Sequence, residues 1–307
     1  MSKELNSEFN LRTFCHGLMM GAADAVPGVS GGTIALILGI YSKFINSITI
    51  CLNFVKERFP YSDKEKFSAS FFFLLTIGTG MLISYYVITK LLVASGDELG
   101  LLERKETAPF VYSFFFGLVL FSINEPWKFV QHPKVKHYLF FVLGILTIYL
   151  YANSSYNSEG NFLLVISGAL ALTAMLLPGI SGALVLLTLG QYTKVASSFH
   201  DLDYIILSYF LFGGIIALFS FVPIMNYSMR YHLDSTMSLL TGFMCGSLVT
   251  LWPWKVDYEK EGLSANLSIS NVFEIYPFLS ILLTIMFLIL GGFMSYILRN
   301  METKTVI

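Results

Sequence analysis

Charged residues are scarce in this 307-residue sequence: Asp, Glu, Lys and Arg make up 13% of it, about half of their share in soluble domains. The net charge of −1 and the lack of a basic stripe argue against a nucleic-acid partner. The three cysteines lie far apart, without metal-ligand spacing or a redox pair, so we expect no metal and no cofactor. The polar N-terminus also lacks the apolar stretch and cleavage site of a signal peptide.

Apolar residues are abundant instead. They make up 55% of the chain, and the mean hydropathy is +0.68, which is typical of a protein solvated mainly by lipid. A membrane-spanning helix needs roughly 20 mostly apolar residues. Six segments meet or approach this length: 67–95, 107–123, 138–152, 204–231, 235–254 and 272–298. The sequence therefore predicts an all-α polytopic membrane protein with six crossings.

Two further apolar stretches, 11–55 and 162–198, are interrupted by predicted hinges: Pro27 and Gly28 in the first, Pro178 and Gly179 in the second. Proline removes a backbone donor and clashes with the preceding turn, while glycine permits positive φ. One half-helix therefore ends at each hinge, and Ser30 or Ser181 begins the next as its N-cap. Each arm is short for a crossing, so both stretches are predicted to be re-entrant helical hairpins.

The distribution of basic residues predicts the orientation. Six of the 19 Lys and Arg residues fall on one side of the membrane: Lys90, Arg104, Lys105, Lys194, Lys255 and Lys260. The remaining 13 share the other side with both termini. Because basic residues are enriched in cytoplasmic loops, we expect both termini in the cytoplasm.

The two hairpins are copies of one sequence. A shift of 151 residues aligns 17–48 with 168–199 without a gap, and 12 of the 32 positions are identical. A weaker echo relates 117–128 to 242–255, and both copies end in Pro-Trp-Lys. Three crossings separate the hairpins, so the second is expected to enter from the opposite face, as in inverted-topology transporters. We divide the single transporter domain, 1–307, into repeat 1 (about 11–136), repeat 2 (about 162–258) and a closing helix (272–298).

Each predicted half-helix begins with backbone N–H groups that lack intrahelical partners, and the helix dipole adds partial positive charge there. Two such ends facing one cavity would bind an anion such as phosphate without a basic side chain. The candidate substrate-binding residues supply hydroxyl donors or let a ligand approach the backbone: Ser30, Gly31, Gly32, Thr33, Ser181 and Gly182. The alternative is that each Pro-Gly pair only kinks a packed helix, an interpretation that two copies of one motif disfavour.

Asp24 lies three residues before Pro27 in an otherwise apolar stretch, and its counterpart in the second copy is Met175. A carboxylate within the membrane costs roughly 2.5–3.5 kcal/mol and usually has a function. Burial and a nearby phosphate both favour its protonated form, so we expect Asp24 to couple transport to protons. The alternative role is structural, as a cap that accepts backbone N–H bonds.

A third group of residues follows the hinges by about 15 positions in each copy: Tyr41, Lys43, Tyr192 and Lys194. On opposite faces of the membrane, these side chains would receive an arriving phosphate. Alternatively, they only anchor the helix ends at the interface. Both interpretations fit their positions near predicted helix ends.

The paired motifs AADAVPGVSGGTIALILGIY and AMLLPGISGALVLLTLGQY, followed by GSLVTLWPWK, resemble the polyprenyl-phosphate transporter family, formerly a bacterial and archaeal domain of unknown function. The resemblance covers roughly 12–298. It implies a multi-pass protein of the bacterial cytoplasmic (inner) membrane that recycles undecaprenyl phosphate for cell-wall biogenesis. By motif, it carries over Asp24 and the residues of both breaks. One departure is Ala183, which stands where the family often has Ser or Thr.

These observations predict lipid transport rather than an enzyme. The phosphate head would bind at the two breaks while the polyprenyl tail stays in lipid, and rocking of the halves would expose the head to each leaflet. A secondary transporter of a small aqueous anion is the main alternative. A phosphatase is disfavoured, because the apolar segments hold no Arg/His cluster or paired acids. Membrane lipids and protons are the other expected partners, and a homo-oligomer is left open by two GxxxG-like pairs, Gly17/Gly21 and Gly242/Gly246.

Overall fold

The computed structural model describes residues 10–25, 30–56, 64–92, 101, 104–152, 161–189, 191–192, 194–195, 198, 202–258 and 265–303. Within these residues the named elements are all helices, and one isolated antiparallel bridge joins Lys255 to Asn266. The helices of the first half are α1 (Leu11–Asp24), α2 (Gly31–Ile37), α3 (Tyr41–Lys56), α4 (Lys64–Leu92), α5 (Ala108–Leu120), α6 (Asn124–Trp127) and α7 (Val135–Ala152). Those of the second half are α8 (Asn161–Leu176), α9 (Gly182–Thr188), α10 (Tyr204–Tyr231), α11 (Leu233–Ser247), α12 (Ile269–Ile275) and α13 (Phe278–Thr303).

The helical, multi-pass character is confirmed. In the described part of the chain, four helical segments are long and apolar enough to cross a membrane: Lys64–Leu91, Ala108–Trp127, Tyr204–Tyr231 and Phe278–Ile297. A fifth span results if the bent pair α2 and α3 crosses as one unit. The helices α7 and α8 are apolar but shorter. Large apolar side chains are exposed along α4, α7, α10 and α13, as expected of helices that face lipid.

Two of the predicted spans differ from the structure. The span predicted at 235–254 is wrong in its second part, because α11 ends at Ser247 and the chain continues through turns into a non-helical connector at 252–258. The span predicted at 272–298 is interrupted at Tyr276, which is extended (φ −103°, ψ 135°). The ring of Pro277 disfavours helical conformation in the residue before it, so α12 ends there and α13 begins anew.

The first hairpin also contains a bend that sequence analysis did not anticipate: α2 and α3 meet at 119°. Gly39, with φ 60°, ends α2 in a Schellman motif that includes a bond from Ile40 N to Ala35 O (2.9 Å). The equivalent bond in the second copy, from Gln191 N to Leu186 O (2.8 Å), lies 151 residues later. The short second helix therefore ends in the same way in both copies.

The long helices pair in the same pattern in the two halves. The helix α1 packs along α4, as α8 packs along α10; across the halves, α5 packs along α13 and α7 along α11. Each half therefore contributes its last helix to the other half. At each of these four crossings at least two glycines face the opposing backbone, where an added Cβ would collide with a carbonyl: Gly17 and Gly80, Gly168 and Gly213, Gly117 and Gly291, Gly144 and Gly242.

The GxxxG-like pairs serve packing within the chain. Gly17 and Gly21 face the backbone of α4, while Gly242 and Gly246 face α7. The short helix α2, in which every residue is buried, contacts α1, α3, α8 and α13. The described residues nearest the first Pro-Gly pair, Asp24, Ala25 and Ser30, are buried as well.

Candidate functional site

The second Pro-Gly break meets the first turn of α2, which follows the first break, inside the protein. The Ser30 hydroxyl donates to the Leu177 carbonyl (2.9 Å), and in the opposite direction the Gly179 N–H donates to Thr33 Oγ1 (2.9 Å). Gly32 lies beside the same backbone, where an added Cβ would be 3.1 Å from the Leu177 carbonyl carbon. Side-chain hydroxyls of the first break therefore satisfy backbone groups of the second, about 150 residues away in sequence.

Tyr41, the first residue of α3, joins this contact. Its hydroxyl donates to the Leu176 carbonyl (2.9 Å), and its side chain is buried. Leu176 ends α8, so its carbonyl has no partner within that helix. In this conformation Tyr41 links the two breaks, and its role in receiving a phosphate stays a prediction.

The helix α2 begins with backbone donors that are already occupied. Asp24 Oδ1 accepts from Gly31 N (2.7 Å), and the N-cap Ser30 Oγ accepts from Gly32 N (3.1 Å). The Ser30 carbonyl accepts from Thr33 N (2.9 Å). Asp24 therefore places an internal acceptor at the N-terminal end of α2, where the helix dipole favours negative charge. The capping role considered for this acid is present in the structure.

The second carboxylate oxygen of Asp24 has a different environment. Asp24 is only 2% exposed, and its Oδ2 accepts no hydrogen bond from the described residues. An ionised carboxylate that is buried with one oxygen unpaired is costly. Unpaired buried polar groups are rare in native structures and mark strain or a chemical role. A proton or a ligand donor at Oδ2 would stabilise this arrangement.

The predicted hinges are only partly described. Pro178 and Gly179 are buried, and Gly179 has φ 86°, a conformation that favours glycine. An added Cβ at Gly179 would also collide with the backbone of α11. The first pair, Pro27 and Gly28, lies outside the described residues.

The second break differs from the first at the position that faces its short helix. Where the Asp24 carboxylate lies against Gly31, the Met175 side chain lies against Gly182. A thioether carries no charge and is a weak acceptor. The N-terminus of α9, with Ser181 and Gly182 both buried, therefore lacks the carboxylate that caps α2.

The two predicted lysines do not lie in the contact between the breaks. Lys43 and Lys194 are both exposed, and Lys43 Nζ lies 4.6 Å from the centre of the Phe73 ring. Tyr192, by contrast, is buried like its counterpart Tyr41. The structure therefore groups the tyrosines with the interior and leaves the lysines outside it.

Sequence analysis missed the backbone carbonyls of residues 175–177, which accept the hydroxyl hydrogens of Ser30 and Tyr41. A signal was present in the repeat. Short half-helices rich in glycine can approach each other closely enough for backbone contacts. The sequence predicts that one ligand lies between the two copies, whereas in the structure the copies contact each other directly.

Comparison with known proteins identifies the family. The model of a family described as undecaprenyl phosphate translocase-like matches residues 20–268. The chain belongs to this family. A Vibrio cholerae relative named polyprenyl-phosphate transporter is 36% identical over 253 residues, which are 80% of this chain and 78% of the relative. A Staphylococcus aureus relative with the same name is 32% identical over 266 residues, which are 80% of this chain and 87% of the relative. No solved structure matches the chain.

Proposed function

We propose that this protein moves polyprenyl phosphate, specifically undecaprenyl phosphate, across the bacterial cytoplasmic membrane, and that it is a transporter rather than an enzyme. The observation that carries the proposal is the buried contact between the two breaks, with Asp24 beside it. Hydroxyls, backbone donors and one acid are thereby collected inside an apolar bundle. A phosphate head needs such groups in the membrane, because an unpaired charge there is prohibitive. The shared name of the two relatives supports this substrate.

The phosphate head binds between the breaks, at the first turns of α2 and α9. In the described conformation Ser30 and Thr33 bond to the second break, so the two breaks are closed onto each other. Their separation frees the Ser30 hydroxyl and the Gly179 N–H, both of which can donate to phosphate oxygens. Because phosphate replaces the hydrogen bonds that are lost on opening, its binding selects the open state.

Asp24 couples this step to protons. Its carboxylate holds the Gly31 N–H, so an arriving phosphate competes with it for the same donor. Two anions in one poorly solvated site repel each other, and a proton on Asp24 removes that repulsion. Binding of the head is therefore linked to protonation of Asp24, and release of the head is linked to loss of that proton.

The two halves move against each other during transport, with inverted topology and both termini in the cytoplasm. The equivalent pairs α1–α4 and α8–α10 are the moving units, and the exchanged helices α7 and α13 connect them. The polyprenyl tail remains in lipid against the exposed apolar faces of the long helices. Only the head then requires a polar path, because an isoprenoid chain is apolar and dissolves in the hydrocarbon of the bilayer.

The proposal is tested in proteoliposomes that carry undecaprenyl phosphate in one leaflet, with and without a pH gradient. We expect the wild type to move the lipid and the double variant Ser30→Ala/Ser181→Ala to be slower by roughly 100-fold, since hydrogen bonds to charged groups are each worth about 1.5–3 kcal/mol. Ser167→Ala is the matched control, because Ser167 is buried but makes no hydrogen bond to the described residues. Wild-type protein that leaves the lipid in place but takes up inorganic phosphate would instead be a transporter of a small aqueous anion.

A further inference from the structure

A buried lysine lies away from the breaks, in the connector of residues 252–258 that follows α11. Lys255 is 7% exposed and ends the second copy of Pro-Trp-Lys. Its Nζ donates to the Thr250 carbonyl (2.9 Å) and lies 4.4 Å from the centre of the Tyr112 ring on α5. The ammonium is thus enclosed by a backbone carbonyl and an aromatic face.

Tyrosines form the rest of the enclosure. The Tyr258 hydroxyl accepts from Lys255 N (3.0 Å), donates to the Pro253 carbonyl (2.6 Å) and lies 3.4 Å from the Tyr276 hydroxyl. The rings of Tyr112 and Tyr258 are 6.2 Å apart between their centroids. Burial raises the pKa of Tyr258 above its ordinary value, so this hydroxyl stays neutral near pH 7.

Among the residues that the structure describes, Lys255 has no opposite charge as a partner. Its contacts within the described residues are the Thr250 carbonyl and the Tyr112 ring, and no carboxylate is among them. An ammonium has three N–H donors, of which one is used here. Burial lowers the pKa of Lys255 to about 8, so the side chain is still mainly protonated at pH 7. A buried cation with two spare donors is stabilised by an anion.

The first copy of the motif shows that Pro-Trp-Lys does not by itself require a buried lysine. Lys128 has a side chain that is 51% exposed, and its Nζ lies 2.8 Å from Glu125 Oε1. A single hydrogen bond to Thr250 would not explain why the second copy buries a full charge, because a neutral donor could make it. Of the two lysines, only Lys255 is buried, and no acid is among its described contacts.

We propose that Lys255 and its tyrosine enclosure form a second binding site for a phosphate monoester, separate from the breaks. The natural ligand rests on the proposed function: it is the head of the transported lipid before or after it occupies the breaks. Lysine is a compact charge that suits phosphate oxygens, and the two N–H donors of Lys255 that the described residues leave unused can bond to them. The helix α11 connects the two sites, because Gly179 packs on its backbone at Met244.

The site is tested by calorimetric titration of the full-length protein in detergent with farnesyl phosphate, inorganic phosphate and farnesol. The titrations use the Ser30→Ala/Ser181→Ala background, so that binding at the breaks is weakened. We expect farnesyl phosphate to bind, and Lys255→Met to weaken binding at least about tenfold, as expected when one member of a buried charge pair is removed. Lys255→Arg keeps the charge and most of the affinity, whereas the matched control Lys128→Met changes nothing.

Each outcome supports or overturns the proposal. Binding that is unaffected by Lys255→Met and by the milder Lys255→Gln overturns it, as does absent binding or equal binding of farnesol. Binding of inorganic phosphate with the same dependence on Lys255 supports the site and assigns it to soluble phosphate. Binding of farnesyl phosphate alone assigns it to the lipid head. Transport in proteoliposomes reports the proposed function separately, so that either idea can fail while the other stands.

Discussion

The two Pro-Gly breaks have the same motif and the same helix-ending bond, but they differ in the side chain that faces the short helix. At the first break the Asp24 carboxylate caps Gly31 N, and its other oxygen has no hydrogen-bond partner among the described residues. At the second break Met175 lies against the equivalent glycine, Gly182. The bond that ends the short helix is thus the same in both copies, while one side chain makes the starts of the two short helices chemically different.

The Pro-Trp-Lys copies differ in the same manner. Lys128 is half exposed beside Glu125, whereas Lys255 is buried against Tyr112. In both comparisons the two copies of a repeated motif differ in their charged side chains; for Pro-Trp-Lys the backbone differs as well, because the first copy lies at the end of α6 and the second in a non-helical connector. The acid and the lysine that break the symmetry are therefore the residues to test first.

The largest effect is expected from closing the space between the breaks. Gly32→Val adds a branched side chain where even a Cβ would be 3.1 Å from backbone atoms of Leu177 and Pro178. Because those atoms belong to the opposing break, we expect transport to fall to background and the thermal midpoint in detergent to drop. Gly78→Val is the control, since an added Cβ there meets nothing within 4 Å. Normal transport by Gly32→Val would contradict the observed contact.

Replacing the acid at one break and its counterpart at the other separates their roles. Asp24→Asn keeps the size of the side chain but cannot carry the coupling proton. We expect the transport rate to fall by up to about 100-fold, which is near the upper end of the usual coupling between two ligands. We also expect the rate to lose its response to a pH gradient. Met175→Leu, the matched change at the second break, is expected to stay near wild type. An Asp24→Asn rate that still follows the pH gradient would assign coupling elsewhere.

The contrast between the two lysines is sharpened by pH. Burial lowers the pKa of Lys255 to about 8, so its ammonium loses its proton as the pH rises through that value. If only the charged form binds phosphate, the dissociation constant of farnesyl phosphate increases about tenfold between pH 7 and pH 9. Lys255→Arg stays protonated throughout and is expected to give a flat profile in the same titration. A wild-type profile that is flat as well would contradict the role of Lys255.

The smallest effect is expected from the tyrosine that links the breaks. Tyr41→Phe leaves the Leu176 carbonyl buried without its donor, which costs about 1–3 kcal/mol. We expect the thermal unfolding midpoint in detergent to fall by a few degrees while the fold is retained. Tyr227→Phe provides the comparison, because Tyr227 is exposed on α10. Equal midpoints for the two variants would contradict a stabilising role for the Tyr41 hydrogen bond.

Much of the helical layout follows from hydropathy and proline. The predicted span at 204–231 coincides with α10, and 67–95 overlaps α4 closely. The second part of the prediction at 235–254 was wrong because Leu248, Val249 and Leu251 count as apolar, although they lie in turns and not in a helix. Trp252, at the start of the connector, packs edge to face against Phe116 of α5. Hydropathy depends on how apolar a segment is, so an apolar turn or connector has the same hydropathy as an apolar helix end.

The candidate site was predicted in part. The internal repeat indicated both breaks, and the lone acid indicated Asp24. The bond from the Ser30 hydroxyl to the Leu177 carbonyl could not be predicted, because every residue has a backbone carbonyl and the sequence does not distinguish one from another. Membership of the translocase-like family is confirmed, whereas the roles assigned to individual residues are predictions for the experiments above.

The sequence by itself determined that the protein is rich in membrane-spanning helices and that a segment with Pro-Gly-x-Ser-Gly occurs twice, and from these features it predicted two hairpins. These properties follow from composition, from local backbone sterics and from similarity between segments, none of which needs long-range contacts. Only the tertiary structure decided that the breaks bond to each other, that α7 and α13 are exchanged between halves, and that Lys255 is buried while Lys128 is not. Such outcomes depend on which distant backbone and side-chain atoms fill the same space.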